Sequence, residues 1–334
     1  MEYFRLVGEW EPQEATILAL PHSKSAWRPY LNSARNKIVQ IAKIISNYQK
    51  VILLIDKDDE NRDFREMKNI FTFKVKINDT WCRDYCPISL VSMDKIMMLD
   101  FIFNGWGLKY EANFDNQVSK QLNLFENARF ESKNFILEGG SIDSNGGGIL
   151  LTTKKCLLES NRNNISQFEI EQKLKQYLNV RKILWLENGF LEGDDTDSHI
   201  DNLARFINEN TIAYMQCEDK NDLHYKELKK MEEELRGFRD YNNLAFNLIP
   251  IPMPSKIYYK NNRLPASYIN FLFINNALLL PSFSDDKDSH VLDIFINLFP
   301  HRKVIQVDSR ILLRQGGGIH CSSMNIPKIQ ISNS

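Results

Sequence analysis

The chain has 334 residues, of which 43% are hydrophobic and 25% charged, and its formal net charge is -1. This composition is typical of a globular protein, and the absence of basic excess argues against a nucleic-acid partner. The longest apolar runs are strand-length, far below the roughly 20 residues of a membrane-spanning helix, and the N-terminal stretch lacks a secretory pattern, so we expect a cytoplasmic protein with no membrane partner and reduced cysteines.

One arrangement recurs along the chain: an amphipathic, helix-like segment followed by a short apolar strand. In chain order these segments are "SARNKIVQIAKIISNYQK" before "VILLID", a weaker "DNQVSKQLNLFENARF" before "NFILEGG", "SQFEIEQKLKQYLNV" before "RKILWLE", "NDLHYKELKKMEEELRGF" before "NLIPIPMP", and "SHVLDIFINLF" before "RKVIQVD".

Pairs of shorter strands are predicted between these segments. They include "CPISLV" with "KIMMLDFIF", "SIDSN" with "GILLTTKKCLL", and two pairs that turn at Asn-Glu-Asn and at Asn-Asn. The predicted unit is therefore strand, strand, helix, strand, repeated five times. Because no flexible linker divides the chain, we expect one α/β domain over residues 1–334, closed around a central cavity.

The stretch "NDTWCRDYCP" combines charged, aromatic and sulfur-bearing residues. Taken as a strand, it places Cys82, Asp84 and Cys86 on one face. A surface ion pair between Arg83 and Asp84 is the simplest alternative. The two cysteines resemble half of a zinc site, but no second pair of ligands follows them, so we predict no metal here.

In "LEGGSIDSNGGG", Glu138 ends an apolar strand immediately before two glycines. The backbone can turn sharply there, and another group can approach it closely. The segment lacks the Gly-Lys-Ser/Thr ending of a phosphate-binding loop. The alternative is a hairpin with a solvated carboxylate.

The stretch "GDDTDSHIDNLARF" is the densest acidic cluster in the chain. On an extended backbone, Asp195, Asp197, His199 and Asp201 project to the same side. The alternatives are an acidic surface loop and a cation site, although the glycine and terminal Glu of an EF-hand are missing. An imidazole among carboxylates that leads into an apolar run favours a partly buried acid-base group.

Near the C-terminus, in "QGGGIHCSSM", the glycines Gly316, Gly317 and Gly318 precede Cys321. A nucleophilic cysteine benefits from an open approach and from nearby backbone N–H groups, whereas a core cysteine needs neither. Carboxylates outnumber basic groups in these four stretches, so a shared pocket would bind a cation. Guanidinium fits, because two carboxylates can each bind it with two hydrogen bonds and leave its carbon open to sulfur.

Together these motifs resemble the agmatine deiminases and the related bacterial peptidylarginine-deiminase-like enzymes of the pentein, guanidine-modifying superfamily. The resemblance runs from "GEWEPQEATILALPH" through "NDTWCRDYCP", "FNGWGLKY", "LEGGSID", "GDDTDSHIDNLARF" and "LPASYINFLFINNALLLP" to "GGGIHC". It implies a five-bladed α/β propeller of ββαβ repeats, a homodimer, and a reaction with no metal and no organic cofactor.

The resemblance also implies roles for individual residues. Cys321 would attack the guanidinium carbon, and His199 would protonate the departing ammonia and then activate water against a thiouronium intermediate. Glu138 would hold His199, while Asp84 and Asp201 would bind the guanidinium nitrogens.

The substrate implied by the resemblance is agmatine, which would yield N-carbamoylputrescine and ammonia on the route from arginine to putrescine. The ammonium of agmatine calls for carboxylates or aromatic faces, and Asp195 and Trp81 are the candidates. Arginine would instead require a cation for its carboxylate, with Arg205 and Arg314 as the candidates. Deimination of peptidyl or free arginine is therefore the alternative activity, and a non-catalytic pentein that binds a partner is the alternative of another class.

Two positions depart from the family pattern. Cys86 and Ser198 stand where the family usually has glycine. Both add a side chain close to predicted ligands, and Cys86 adds a second thiol close to Cys82.

Overall fold

The computed structural model describes residues 3–59, 67–122 and 128–329. The strands are β1 (Arg5–Leu6), β2 (Gln13–Ala19), β3 (Lys50–Ile55), β4 (Ile70–Lys74), β5 (Ile88–Val91), β6 (Ile96–Ile102), β7 (Arg129–Ile136), β8 (Ile142–Ser144), β9 (Ile149–Thr153), β10 (Lys182–Leu186), β11 (Ala204–Asn208), β12 (Thr211–Gln216), β13 (Asn247–Pro252), β14 (Tyr258–Tyr259), β15 (Asn262–Arg263), β16 (Leu272–Ile274), β17 (Ala277–Ser282), β18 (Lys303–Asp308) and β19 (Ser323–Pro327).

The α-helices are α1 (Leu31–Ile45), α2 (Cys82–Tyr85), α3 (Gly105–Leu108), α4 (Val118–Gln121), α5 (Lys154–Leu157), α6 (Gln167–Leu178), α7 (Tyr225–Gly237), α8 (Asp288–Leu298) and α9 (Arg310–Leu313). Short 3-10 turns occupy Arg28–Tyr30, Asp115–Gln117, Gly139–Ser141 and Ile200–Asn202. Among these described helices, none has the length and hydrophobicity that crossing a bilayer requires.

Within the described residues, five mixed sheets share one arrangement, in which two antiparallel strands are followed by a third that pairs in parallel. They contain β19-β2-β3, β5-β6-β7, β8-β9-β10, β11-β12-β13 and β16-β17-β18. A parallel step requires a crossover, and α1, α6, α7 and α8 provide it in four of the five sheets. These four sheets follow the predicted order of strand, strand, helix, strand.

The crossover helices form because apolar side chains recur on one face of each. In α1 the buried residues include Ile38, Ile41 and Ile45, which follow the three-to-four-residue spacing of a helix. Helix α6 begins at a capping box, in which the Ser166 side chain accepts from the Glu169 amide and the Glu169 side chain accepts from the Ser166 amide. Buried faces of this kind pack the helices against the sheets.

Two stretches predicted to be strands contain a helical turn in the structure. The predicted strand "GILLTTKKCLL" stops at Thr153, because the Thr153 side chain accepts from the Cys156 amide and caps α5. The stretch "CRDY" forms the helical turn α2 rather than a strand, and the Cys86 amide donates to the Cys82 carbonyl at 3.0 Å. The predicted alternation of faces in "NDTWCRDYCP" is therefore wrong, as is the surface ion pair, since the Arg83 side chain is buried.

The weakest predicted repeat is only partly helical. Within "DNQVSKQLNLFENARF" the structure has a 3-10 turn and the single turn α4, and residues 123–127 lie outside the described residues. The following strand, β7, already begins at Arg129, inside the segment predicted to be a helix.

The capping box of α6 predicts a measurable loss of stability on substitution. We expect Ser166→Ala to lower the free energy of unfolding by about 1 kcal/mol, because an amide at the helix N-terminus loses its acceptor. Urea denaturation measures this change. Ser33→Ala, at an exposed position inside α1, is the control and should change stability by less than about 0.5 kcal/mol. Equal effects of the two substitutions would contradict the capping role.

Candidate active site

A cavity of about 330 Å³ is lined by residues that are far apart in the chain. Of the predicted site residues, those that line it come from the "NDTWCRDYCP", "GDDTDSHIDNLARF" and "QGGGIHCSSM" motifs, and they are Trp81, Asp84, Asp195, Gly316, Gly317 and Cys321. The fold therefore brings three of the four predicted stretches to one cavity. Glu138, His199 and Asp201 do not line it. His199 lies beside Asp84, Asp201 beside Cys321, and Glu138 beside His199.

Cys321 lies in the loop between α9 and β19 and is 7% exposed. Its thiol accepts a hydrogen bond from Asn270 Nδ2 at 3.1 Å and donates to Asp201 Oδ2 at 3.5 Å. Burial raises the pKa of this thiol well above its ordinary value, as do the charges of Asp201 and Asp84, and the hydrogen bond from Asn270 opposes the rise only in part. The sulfur is therefore protonated at neutral pH when no cation is close to it.

The glycines before Cys321 are explained by two side chains that pack directly against the backbone. A Cβ atom on Gly317 would lie 2.3 Å from the Trp81 ring, and one on Gly318 would lie 2.3 Å from Asn270 Oδ1. Asn270 also accepts a hydrogen bond from the His320 amide at 2.9 Å. Glycine thus allows Trp81 to form the cavity wall and Asn270 to hold the loop that carries the thiol.

Asp84 is buried in α2, and each of its oxygens has a donor. Oδ1 accepts a hydrogen bond from the Gly140 amide at 2.8 Å, and Oδ2 accepts one from Trp106 Nε1 at 2.9 Å. A Cβ atom on Gly140 would come within 2.9 Å of Asp84 Oδ1 and 2.7 Å of His199 Nδ1, which accounts for glycine after Glu138. Burial raises the pKa of the Asp84 carboxyl, His199 opposes this rise, and Asp201 reinforces it.

His199 is buried beside Asp84, with 3.7 Å between His199 Nδ1 and Asp84 Oδ1. Burial lowers the pKa of the imidazole, but Asp84, Cys156 and Glu138 together raise it well above its ordinary value. His199 Nε2 has no hydrogen-bond partner among the described residues. The imidazole is therefore protonated at neutral pH and retains a nitrogen that is not committed to the protein.

Glu138 is held by a residue that the sequence analysis missed. Arg162 Nε donates to both carboxylate oxygens of Glu138, at 2.9 and 3.0 Å, and Arg162 Nη1 donates to Asp197 at 2.8 Å. Glu138, Cys156 and His199 also place one possible metal-ligating atom each within 4.8 Å of one another. Both oxygens of Glu138 already accept hydrogen bonds from Arg162, a nearby positive charge, and this disfavours a metal cation there.

Asp201 is 1% exposed, and its two oxygens differ in their surroundings. Oδ2 accepts from His320 Nδ1 at 2.8 Å and from the Cys321 thiol. Oδ1 is buried and has no hydrogen-bond partner in the part of the chain that the structure describes. Burial raises the pKa of the carboxyl, but the hydrogen bond and charge of His320, together with the charges of His199 and Arg205, leave the net pKa below its ordinary value.

The acidic segment is not extended, so the prediction that its four side chains project together is wrong. Asp197 and Ser198 have left-handed φ values of 65° and 67°, which turn the backbone. Asp195 reaches the cavity and accepts from the Tyr110 hydroxyl at 2.5 Å, whereas Asp197 accepts from Lys109 Nζ at 2.7 Å and also contacts Arg162. Burial raises the pKa of Asp195, and the Tyr110 hydroxyl opposes this in part.

The two departures from the family pattern, Ser198 and Cys86, differ in backbone conformation. Ser198 adopts the left-handed conformation that favours glycine, and its hydroxyl is buried without a hydrogen-bond partner within residues 3–59, 67–122 and 128–329. Cys86 has a φ of -81° and an extended backbone, which any residue adopts. Of these two positions, only Ser198 has a strained backbone.

The two arginines considered for a substrate carboxylate lie in different places. Arg205 is fully buried outside the cavity, with Nη2 2.9 Å from Glu9 Oε2 and its guanidinium 4.4 Å from the centre of the Phe271 ring. Arg314 lines the cavity, and its guanidinium lies over the rings of Tyr30 and Tyr259.

Comparison with known proteins identifies the family. The family model for Porphyromonas-type peptidyl-arginine deiminase matches residues 5–327. An agmatine deiminase of Pseudomonas aeruginosa is 33% identical over an alignment of 353 residues, gaps included. The alignment covers 97% of this chain and 95% of that protein.

Solved structures agree with this match. A Cys-to-Ser variant of C. jejuni agmatine deiminase with substrate bound has 43% identity and a TM-score of 0.92, covering 98% of this chain and 97% of that chain. An Enterococcus faecalis agmatine deiminase has 28% identity and a TM-score of 0.90, covering 98% and 96%. The mixed α/β fold is common to all of them, and the chain belongs to the Porphyromonas-type peptidyl-arginine deiminase family.

Proposed function

We propose that this protein hydrolyses agmatine to N-carbamoylputrescine and ammonia. The observation that carries the proposal is the convergence of the Cys321 thiol with two buried carboxylates, Asp84 and Asp201, beside one cavity. Relatives and solved structures named agmatine deiminase, one of them with substrate bound, support it.

The electrostatics of the cavity favour a cation. The pKa values of Asp84 and Cys321 are raised above their ordinary values, and burial is the largest cause for both. A guanidinium between them lowers both pKa values, because a nearby positive charge stabilises the carboxylate and the thiolate. Its planar array of N–H donors also matches two carboxylates, and Asp201 Oδ1 is an acceptor that no described residue uses. Binding of the substrate and ionisation of the thiol are therefore coupled, and the thiol proton passes to solvent.

The chemistry then proceeds in two halves. The Cys321 thiolate attacks the guanidinium carbon, and the His199 imidazolium gives its proton to the departing nitrogen, which leaves as ammonia. Neutral His199 next takes a proton from a water that attacks the thiouronium carbon. The carbon–sulfur bond breaks with its electron pair on Cys321, and the second proton of that water goes to solvent as the ureido carbonyl forms.

Glu138 contributes through charge. The Glu138 carboxylate is one of the groups that raise the pKa of His199, so that the imidazole enters the first step as an acid. Arg162 fixes Glu138 through both oxygens. We therefore place Glu138, held by Arg162, as a residue that raises the pKa of His199.

The far end of the substrate is assigned to Asp195 and Trp81. Both line the cavity, Asp195 offers a carboxylate to the agmatine ammonium, and Trp81 offers a ring face. Arg314 also lines the cavity, and a cation there favours a substrate with a carboxylate, such as free arginine. Deimination of free or peptidyl arginine is accordingly the second candidate function.

We also propose that the five sheets are the blades of one α/β propeller and that residues 1–334 form one catalytic domain. Pairing of the C-terminal strand β19 with β2, near the N-terminus, supports a closed arrangement. Residues on both sides of this closure contribute to the cavity, including Trp81 and Cys321.

The proposal is tested by ammonia release and product mass with three substrates in parallel: agmatine, free arginine and a peptide with an internal arginine. We expect conversion of agmatine and little conversion of the other two. Preferred conversion of arginine or of the peptide would transfer the function to the second candidate. No ammonia from any of the three would reject the enzyme in favour of a binding protein.

Substitution of the nucleophile separates chemistry from folding. We expect Cys321→Ala to lower kcat for agmatine by roughly 10⁴-fold or more, because the covalent step loses its sulfur, while agmatine binding and thermal stability are retained. Calorimetric binding and steady-state kinetics measure the two effects. Cys217→Ala is the control, because Cys217 is buried at 8% exposure but does not line the cavity. Turnover by Cys321→Ala would reject the mechanism.

Substitution at the far end of the cavity tests the ammonium contact. We expect Asp195→Asn to raise KM for agmatine by about tenfold with little change in kcat, which corresponds to the loss of one ion pair. Tyr110→Phe should have a smaller effect, since it removes the hydrogen bond to Asp195 and leaves the charge. An unchanged KM in Asp195→Asn would move ammonium recognition to another residue.

A further inference from the structure

We propose that His320 is a positioning residue, a fixed imidazolium that keeps Asp201 ionised and turned so that one oxygen faces the guanidinium. The inference rests on the proposed function, because it concerns the carboxylate that would bind the substrate. His320 itself does not line the cavity that contains Cys321. It acts through Asp201.

The ring of His320 lies between two carboxylates. Its Nδ1 is 2.8 Å from Asp201 Oδ2, and its Nε2 is 2.7 Å from Glu9 Oε2. A neutral imidazole has one N–H and can donate to only one of them, whereas an imidazolium donates to both. The residue is 2% exposed, so these contacts are little screened by solvent. The geometry is that of a carboxylate–imidazolium–carboxylate bridge.

Glu9 anchors the outer end of this bridge. Arg205 Nη2 lies 2.9 Å and Arg83 Nη2 3.4 Å from Glu9 Oε2. Burial raises the pKa of Glu9, but Arg205, His320 and Arg83 together lower it well below its ordinary value. Arg205 also forms an ion pair with Asp143, with 3.4 Å between Arg205 Nε and Asp143 Oδ1. Glu9 is therefore ionised at neutral pH and places a negative charge beside His320 Nε2.

The backbone around His320 is fixed by the residues that fix the nucleophile. The His320 amide donates to Asn270 Oδ1 at 2.9 Å, while Asn270 Nδ2 donates to the Cys321 sulfur at 3.1 Å. The His320 carbonyl accepts from Arg83 Nε at 3.3 Å. The imidazole cannot move away from Asp201 without disturbing these contacts.

The bridge gives the two oxygens of Asp201 different roles. Oδ2 is used by His320 and by the Cys321 thiol, and Oδ1 remains buried without a described hydrogen-bond partner. A buried acceptor without a donor costs free energy, and a guanidinium N–H would remove that cost. Because Oδ2 is engaged, the carboxylate cannot rotate to offer its other oxygen.

Burial and the charged groups around Asp201 shift the pKa of its carboxyl in opposite directions. Burial favours the neutral acid, the cations His320, His199 and Arg205 favour the carboxylate, and the net effect is a lowered pKa for Asp201. Asp84 is the neighbouring carboxylate, and Asp201 in turn raises the pKa of Asp84. Loss of the His320 charge at 2.8 Å should raise the pKa of Asp201 by about one to three pH units.

The experiment measures agmatine binding against pH in a Cys321→Ser background, so that no turnover occurs. In this parent, Asp201 is expected to stay ionised and binding to change little as the pH falls from about 8 to 6. Adding His320→Gln keeps a donor to Asp201 but removes the charge. Protonation of Asp201 then begins at higher pH. With the titration extended to about pH 4, we expect the pH below which agmatine affinity falls to lie about one to three units higher than in the parent.

Two further variants distinguish positioning from general damage. Glu9→Gln should shift the pH dependence in the same direction by a smaller amount, because the imidazolium loses one of its anions. His224→Gln, which removes another buried histidine with an Asp222 oxygen 2.6 Å from its Nδ1, should leave the pH dependence as in the parent. If His320→Gln does not fold, Glu9→Gln provides the test.

The outcomes are separable from those of the proposed function. Parental pH dependence in His320→Gln, or in Glu9→Gln where His320→Gln is unfolded, would overturn the role of His320. A shift in His224→Gln of the same size would do so as well. Failure of the Cys321→Ser parent to bind agmatine at any pH would instead count against the proposed function, and guanidinium ion would then replace agmatine as the probe of Asp201.

Discussion

The burial of two carboxylates beside one thiol is the constraint on which the site depends. Asp84 and Asp201 are both nearly inaccessible to solvent, and each raises the pKa of the Cys321 thiol. Buried like charges repel, so the protein must supply compensating groups. It does so with hydrogen bonds from Gly140 and Trp106 to Asp84, and with the imidazole of His320 beside Asp201. Much of the surrounding architecture is explained by this compensation.

Much of the fold could be predicted from the sequence, because apolar spacing depends on local geometry. The segments that became α1, α6, α7 and α8 show helical spacing ahead of short apolar strands, and the Asn-Glu-Asn and Asn-Asn turns fall between paired strands. The stretch "CRDY" could not be assigned this way, since a single helical turn has no periodicity to detect. Nor could the left-handed turn at Asp197 and Ser198, where the Asp197 side chain pairs with Arg162 and Lys109, residues distant in the sequence.

The candidate site was predictable in its motifs but not in its supporting contacts. Cys321, Asp84 and Asp195 stand out because charged or reactive residues occur beside glycines or in acidic clusters, and all three line the cavity. Arg162 and Asn270 carry no such signal. Arg162 binds Glu138, which is 24 residues away in sequence, and Asn270 binds Cys321, which is 51 residues away. Such pairs are set by tertiary packing. His320 stood beside the nucleophile in the sequence, but its partners Glu9 and Asp201 lie 311 and 119 residues away.

In the proposed mechanism, this electrostatic arrangement makes the thiol reactive only when the right ligand is present. Without a cation, burial and two carboxylates keep Cys321 protonated and therefore a poor nucleophile. A guanidinium satisfies the free oxygen of Asp201, offsets the repulsion with Asp84 and lowers the pKa of the thiol in the same event. A neutral ligand of similar size could fill the cavity, but it would leave the sulfur protonated. Selectivity for a guanidine and activation of the nucleophile thus follow from one physical cause, the unfavourable burial of negative charge.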